Sequence, residues 1–176
     1  TFKSATYSGG TPGYTQIDVG DLNGDGKLDY VETGGASSAF AVFINRGDGT
    51  FNNGVQYATP AVSPAIGIGD VTGDGFEDIV AANPGGYINV WANRGNGTFQ
   101  VTATINGVAT NSVSIGDVNL DGFNDIACSD WTSTNITVVL NNKTGGWLAP
   151  ATTSIGTNSN LSELVDLNGD RYLDML

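Results

Sequence analysis

Side-chain oxygens recur along this chain at a spacing that suits a hard divalent cation. In "DLNGDGKLDYVE", residues 21–32, Asp21, Asn23 and Asp25 fill positions 1, 3 and 5, Gly26 fills position 6 and Glu32 position 12. That layout matches the loop of an EF-hand. The loop returns as "DVTGDGFED" from Asp70, "DVNLDGFND" from Asp117 and "DLNGDRYLD" from Asp166, at spacings of 49, 47 and 49 residues. Position 12 is not kept, because Ala81 and Cys128 stand where Glu32 would be. Position 9 is aspartate in all four copies, namely Asp29, Asp78, Asp125 and Asp174. The repeating element is therefore D-x-[NT]-x-D-[GR]-x-x-D, and the EF-hand match rests on one glutamate. Three carboxylates within one turn repel at roughly a kcal/mol per pair even in a water-like dielectric, and a bound cation would remove that repulsion. Asp, Asn and Gly make good turns without any metal. A turn does not need three aspartates at the same offsets four times.

The segments that must position these loops read as strands. "YTQIDVGD", "PAIGIGD" and "NSVSIGD" precede the loops, and "DYVET", "DIVAA" and "DIACS" follow them. Then come "FAVFIN", "YINVWAN" and "ITVVLN", and after a turn "GVQYAT", "VTATI" and "ATTSI". The turn is itself a repeat: "NRGDGTF" from Asn45, "NRGNGTF" from Asn93 and "NNKTGGW" from Asn141. Each run is β-rich and bounded by Gly, Asn or Pro. An EF-hand would need amphipathic helices here. Four strands per roughly 48-residue unit predict an all-β fold of β-propeller blades. The units fall near 15–58, 65–106, 112–154 and 161–176, the last incomplete, with 1–8 as the outer strand of a preceding or closing blade. This framing predicts a piece of a larger propeller, or a half-ring that self-associates to complete it, rather than four self-contained blades.

Composition narrows the function. With 176 residues, 39% hydrophobic and 14% charged, the chain should fold as one domain. A formal charge of −12 with six Lys plus Arg argues against nucleic acid or an anionic membrane as partner. The absence of histidine removes Ser/His and Cys/His nucleophile systems and the usual zinc ligand. Cys128 is the one cysteine, so no intrachain disulfide forms; it aligns with Ala81 and reads as a small buried residue. No apolar run reaches 18 residues, so no membrane insertion is expected. No basic-then-apolar leader opens the chain, so any signal peptide is expected to be already gone.

The aspartate loop together with the downstream N-x-G-x-G-T-F turn resembles the FG-GAP/VCBS repeats of integrin-like β-propellers, over nearly the whole chain. The literal Phe-Gly and Gly-Ala-Pro signatures are missing, which places it nearer the bacterial VCBS-like variety. The family commonly closes as seven blades and includes lectins and adhesion modules. The resemblance implies three to four calcium ions, held by side chains at positions 1, 3, 5 and 9 and the carbonyl at position 7. These are Asp21, Asn23, Asp25, Asp29 and the carbonyl of Lys27 in the first loop. They are Asp70, Thr72, Asp74, Asp78 and the carbonyl of Phe76 in the second. The third has Asp117, Asn119, Asp121, Asp125 and Phe123, and the fourth Asp166, Asn168, Asp170, Asp174 and Tyr172. Twelve of the 18 acidic residues sit in these loops, and four Ca²⁺ would bring the charge from −12 to about −4. The second loop offers only a Thr hydroxyl at position 3. The fourth has Arg171 where the others have glycine, at about 1 kcal/mol if that position is left-handed.

Other signals are weaker. Arg46–Asp48 spells RGD, but the next unit reads Arg94-Gly95-Asn96 in the same turn, so a strand-linking role is expected rather than adhesion. Sequons occur at Asn96, Asn135, Asn142 and Asn160, close to chance in so Asn/Thr-rich a chain. Asp18 and Glu163 align on the innermost strands and could do acid/base work or simply be solvated; the latter is expected. An active site should be singular whereas these carboxylates repeat, so the chain is not expected to be an enzyme. Loops between second and third strands, and between blades, vary from unit to unit on the face away from the metal loops, where binding is usually built. Tyr14, Tyr87 and Trp131 lie there; Trp131 could stack on a sugar ring or pack over a blade edge. The expectation is a calcium-stabilised extracellular module that recognises carbohydrate or a surface protein. The alternatives are a propeller within a secreted polysaccharide-degrading enzyme, or a purely structural repeat.

Overall fold

A computed structural model describes residues 16–34, 38–60, 65–83, 85–108, 110–157 and 163–176. Tyr14, the segment 1–8 and Asn160 lie outside the described residues. The fold is all-β. The first sheet is a meander of β1 (Ile17–Gly20), β2 (Asp29–Thr33), β3 (Ala39–Phe43) and β4 (Val55–Ala58). The second repeats it as β5 (Ala65–Gly69), β6 (Asp78–Asn83), β7 (Tyr87–Asn93) and β8 (Phe99–Asn106). The third comprises β9 (Ser112–Gly116), β10 (Asp125–Ser129), β11 (Asn135–Val139) and β12 (Ala151–Ser154). Two further strands, β13 (Leu164–Val165) and β14 (Asp174–Met175), pair with each other. Every pairing is antiparallel between sequence neighbours, as a propeller blade requires. Among the described residues no helix is long and apolar enough to cross a membrane.

The blades pack face to face, and the repeat positions explain how. Leu22, Val31, Phe40 and Val42 of the first sheet form one buried cluster with Ile66, Ile79, Trp91 and Phe99 of the second. Trp91 meets Phe40 edge-on at 5.1 Å, and the Phe99 amide donates to the Tyr57 hydroxyl at 3.3 Å. A second cluster joins Val71, Val80, Ile88 and Val90 to Ile126, Cys128 and Val139. Each such aromatic or aliphatic side chain contributes roughly 1.5–3 kcal/mol on burial.

Innermost strands are zipped by side chains reaching the next strand's backbone. Asp18 Oδ2 accepts from Ile68 N at 2.9 Å, and Ser114 Oγ accepts from Leu164 N at 3.0 Å. These strands also enclose a groove of about 560 Å³ that Asp18 and Glu163 line. The glycine ahead of each of the first three acidic loops has a steric reason. A Cβ on Gly69 would lie 2.8 Å from Ile115, and one on Gly116 would lie 2.5 Å from Leu173, both in the next blade. Cys128 is buried, and desolvation pushes its thiol up to about 12, which leaves it inert.

Candidate functional site

Each acidic loop links the innermost strand of its blade to the second strand, and its first aspartate organises the turn. Asp21 Oδ1 accepts from Gly24 N at 2.9 Å and Asp25 N at 3.1 Å, while Oδ2 accepts from Gly26 N at 2.8 Å. Asp70 makes the same set with Gly73, Asp74 and Gly75, and Asp166 with Gly169, Asp170 and Arg171. Asp117 takes Asp121 N and Gly122 N. The sixth position is left-handed throughout, with φ of 80° at Gly26, 88° at Gly75, 90° at Gly122 and 78° at Arg171. Arg171 therefore carries the strain expected of a side chain there. Leu120, at φ 59°, does the same at the fourth position of the third loop, where Gly24, Gly73 and Gly169 stand in the others.

The fifth aspartates are exposed or half-exposed. Asp25, Asp74, Asp121 and Asp170 each accept from the backbone N–H two residues on, at 3.0, 3.0, 3.0 and 2.9 Å. Asn23 and Asn168 accept from Asp25 N and Asp170 N. Two lysines lean onto this position: Lys27 Nζ is 2.7 Å from Asp25 Oδ2 and Lys143 Nζ is 3.4 Å from Asp121 Oδ2.

The ninth aspartate does something the sequence reading did not assign. Asp78 is fully buried, and its Oδ2 accepts from Val71 N at 3.0 Å and Thr72 N at 2.9 Å, while Oδ1 accepts from Asn93 N at 2.9 Å. Asp29 ties Leu22 N to Asn45 N, and Asp125 ties Val118 N to Asn141 N. One carboxylate thus joins the loop to the end of the third strand. The signal was present: Asn45, Asn93 and Asn141 follow that aspartate by 16, 15 and 16 residues. Asp174 holds Leu167 N at 3.0 Å.

Among the described residues no three acidic or thiol side chains converge on one point. The loops nonetheless fit a hard cation on three grounds. Their donors are carboxylates, amides and carbonyls. The carboxylates at positions 1 and 5 each accept at most three of the roughly four hydrogen bonds that two oxygens can take. Thr72 Oγ1, the odd donor at position 3, is buried without a hydrogen-bond partner.

Electrostatics separate the two kinds of aspartate. Burial raises the pKa of Asp29, Asp78 and Asp125 above the ordinary 3.8, against the pull of their backbone donors; in Asp29 the neighbouring Asp25 and Asp21 charges add to the rise. Asp25 is lowered, chiefly by Lys27, and Asp166 is lowered, chiefly by the Arg171 N–H. A carboxyl whose pKa is raised by folding holds its proton longer in the native state. Its contribution is fully present below 3.8 and is lost as pH rises through the raised value. In metal-free protein, carboxyl-carbon NMR is expected to show Asp29, Asp78 and Asp125 titrating above 3.8 and Asp25 and Asp166 below it. One shared midpoint for all five would contradict this division.

The FG-GAP-like repeat profile matches residues 70–128 and 117–176, more than half of the sequence. The chain belongs to the FG-GAP-like repeat family. Among solved structures, a lectin of Agrocybe aegerita, described by its specific recognition of non-reducing terminal N-acetylglucosamine, aligns with a TM-score of 0.58 at 22% identity. The alignment covers 83% of this FG-GAP-like chain and 40% of the lectin. The Photorhabdus luminescens Tc holotoxin pore aligns with a TM-score of 0.56 at 21% identity, over 90% of this chain and 8% of that one. Among curated proteins nothing matches significantly. The FG-GAP-like chain thus spans less than half the length of either structure, and the likeness concerns the fold.

The face away from the loops carries the remaining candidates. Trp131 is 59% exposed on the turn after β10. Tyr87 is half-buried at the start of β7, its ring beside Gly85. On the loop face, Asp48 Oδ1 is occupied by Thr50 N at 2.9 Å and Thr50 Oγ1 at 2.6 Å. Asn96 holds Thr98 and Asn142 holds Thr144 in the same way.

Proposed function

We propose that this FG-GAP-like chain is a calcium-stabilised extracellular binding module whose ligand is a neutral carbohydrate. The observation that carries the ligand class is Trp131. Its ring is exposed, and its turn is fixed by Asp130, whose Oδ1 accepts from Thr132 N, Thr132 Oγ1 and Asn111 Nδ2, each at 2.9 Å. A large apolar ring on a rigid turn, flanked by hydroxyl and amide groups, is how a protein grips a sugar without losing much conformational entropy. The lectin from Agrocybe aegerita, similar in fold, lends this reading an analogy.

Neutrality follows from where the cations are. Lys27, Arg46, Arg94, Lys143 and Arg171 all sit on the loop face, in the acidic loops or the turns beside them. Among the described residues none stands beside Trp131, where Asp130 is the near charge. An anionic sugar would find no partner there and one like charge.

Calcium at extracellular, millimolar concentration would keep loops of micromolar affinity filled, in place of the disulfides the chain lacks. In the cytosol such loops would be mostly empty.

A glycan array in calcium, set against the same array in EDTA, tests the reading. Neutral oligosaccharides are expected to bind and uronate or sulfated ones not to. Trp131→Ala should weaken binding at least tenfold, about 1.4 kcal/mol, with an unchanged melting temperature. Binding that survives Trp131→Ala removes the proposed site.

A further inference from the structure

A chain of hydrogen bonds runs through the first three acidic loops and crosses both junctions between their blades. In the first loop, Leu22 N donates to Asp29 Oδ2 at 3.0 Å, and Leu22 O accepts from Asn93 Nδ2 of the next blade at 2.8 Å. Asn93 N donates in turn to Asp78 Oδ1 at 2.9 Å, and Asp78 Oδ2 takes Val71 N at 3.0 Å. Val71 O accepts from Asn141 Nδ2 at 2.8 Å, and Asn141 N donates to Asp125 Oδ1 at 2.8 Å. A polar clasp therefore closes each junction, the Asn side chain of one blade on a loop carbonyl of the blade before it.

Both clasps are buried, with Asn93 and Asn141 each 5% exposed, Leu22 0% and Val71 2%. Leu22 stands between Asp21 and Asn23, and Val71 between Asp70 and Thr72, at positions 1 and 3 of their loops. Each clasp thus fixes the backbone that carries two candidate calcium donors. At its other end, the Asn amide is held by a third donor, the ninth aspartate of the neighbouring loop. Asn93 Nδ2 also donates to Glu77 O at 2.8 Å, and Glu77 lies between Phe76 and Asp78. Buried donors and acceptors find no water when such a clasp opens, so the two loops keep their shapes together.

Building on the calcium reading, we propose that neighbouring acidic loops fill cooperatively, with Asn93 and Asn141 as positioning residues that carry order from one loop to the next. A cation in the second loop holds Asp78, and through Asn93 it holds Leu22 between Asp21 and Asn23. The first loop then loses less backbone freedom when its own cation arrives, and it binds more tightly. Linkage makes the effect mutual, so calcium in the first loop strengthens the second by the same factor. The second junction carries a further loop bond, from Asn124 Nδ2 to Asp70 O at 2.9 Å, so Asn93 is the cleaner clasp to cut.

Titration of the full chain with calcium chloride, followed by NMR, reads each loop separately. The Gly26, Gly75 and Gly122 amides donate to the first aspartate of their own loops at 2.8, 2.9 and 2.8 Å, so each resonance reports one loop. Asp74→Ala disables the second loop and is expected to raise the calcium midpoint at Gly26 by roughly fivefold or more. In Asn93→Ala the Gly26 midpoint should no longer depend on Asp74. Asn141→Ala, the same change at the other junction, should leave that dependence intact. A Gly26 midpoint indifferent to Asp74→Ala overturns the coupling, and that result needs no asparagine variant to fold. A dependence that survives Asn93→Ala overturns it too, since charge acting through space would persist there. If Asn141→Ala abolishes the dependence equally, both asparagines are merely structural and the proposal fails. If no loop amide responds to calcium, the calcium reading itself falls and the coupling falls with it.

Discussion

Asp78→Ala is expected to destabilise the metal-free protein by about 4 kcal/mol, a fall in melting temperature of roughly 8–16 °C. Three backbone N–H groups converge on this carboxylate, from Val71, Thr72 and Asn93, and the side chain is fully buried. Hydrogen bonds to a charged acceptor are worth roughly 1.5–3 kcal/mol each, and donors left without a partner in a buried site incur their full desolvation penalty. The sum is reduced because holding an ionised group there is itself unfavourable, as its raised pKa shows. Asp78→Asn should recover part of the loss: its carbonyl oxygen can serve one set of donors, but its NH₂ then faces the other set. Asp74→Ala is the control, since that exposed side chain holds one loop amide, Phe76 N. Chemical denaturation in EDTA separates the two variants without any contribution from metal. Equal losses would mean that the ninth aspartate is only another loop oxygen and not the tie between loop and third strand.

That tie marks where sequence reasoning stops. The four acidic loops, the strands around them and the N-x-G-x-G-T-F turn are legible because each is a local pattern that repeats. The alignment of units puts Phe43, Trp91 and Val139 at one core position and Phe51, Phe99 and Trp147 at another; the structure buries the first three and Phe99 but leaves Phe51 and Trp147 half-buried. The clasps between blades left no such trace. Asn93 Nδ2 reaches Leu22 O across 71 positions, and a backbone carbonyl carries no residue identity for a pattern to record. Leu120 escaped for the opposite reason. A left-handed backbone is read from glycine, and there the chain takes that conformation with a leucine. Ninth-position aspartates were legible as oxygen donors, yet their donors belong to two separate segments. Only the fold brings those segments to one carboxylate. Trp131 stayed ambiguous in the sequence because stacking on sugar and packing on an edge call for the same residue; the structure shows that its ring is largely exposed.

Calcium is expected to produce the larger effect of the two. For loops with a dissociation constant of about 10 µM, 1 mM calcium adds about 2.7 kcal/mol per filled site. Three to four sites in one cooperative unit would then raise the melting temperature by on the order of 20 °C. Removing Asp74 should cancel one site's share in calcium while leaving the EDTA curve nearly unchanged, the reverse of the Asp78 result. Asp170→Ala should matter least, because Arg171 strains its loop and the ninth aspartate there, Asp174, ties a two-stranded sheet. Acid provides an independent check on the same chemistry. In EDTA, the raised carboxyls of Asp29, Asp78 and Asp125 favour the folded state as pH falls toward 3.8. With calcium present the slope from these groups should reverse, since protons then compete with the cation for the same oxygens. Scanning calorimetry at several pH values, with and without EDTA, reads both trends in one series. A melting temperature indifferent to EDTA at neutral pH would show that backbone N–H groups alone hold these aspartates together.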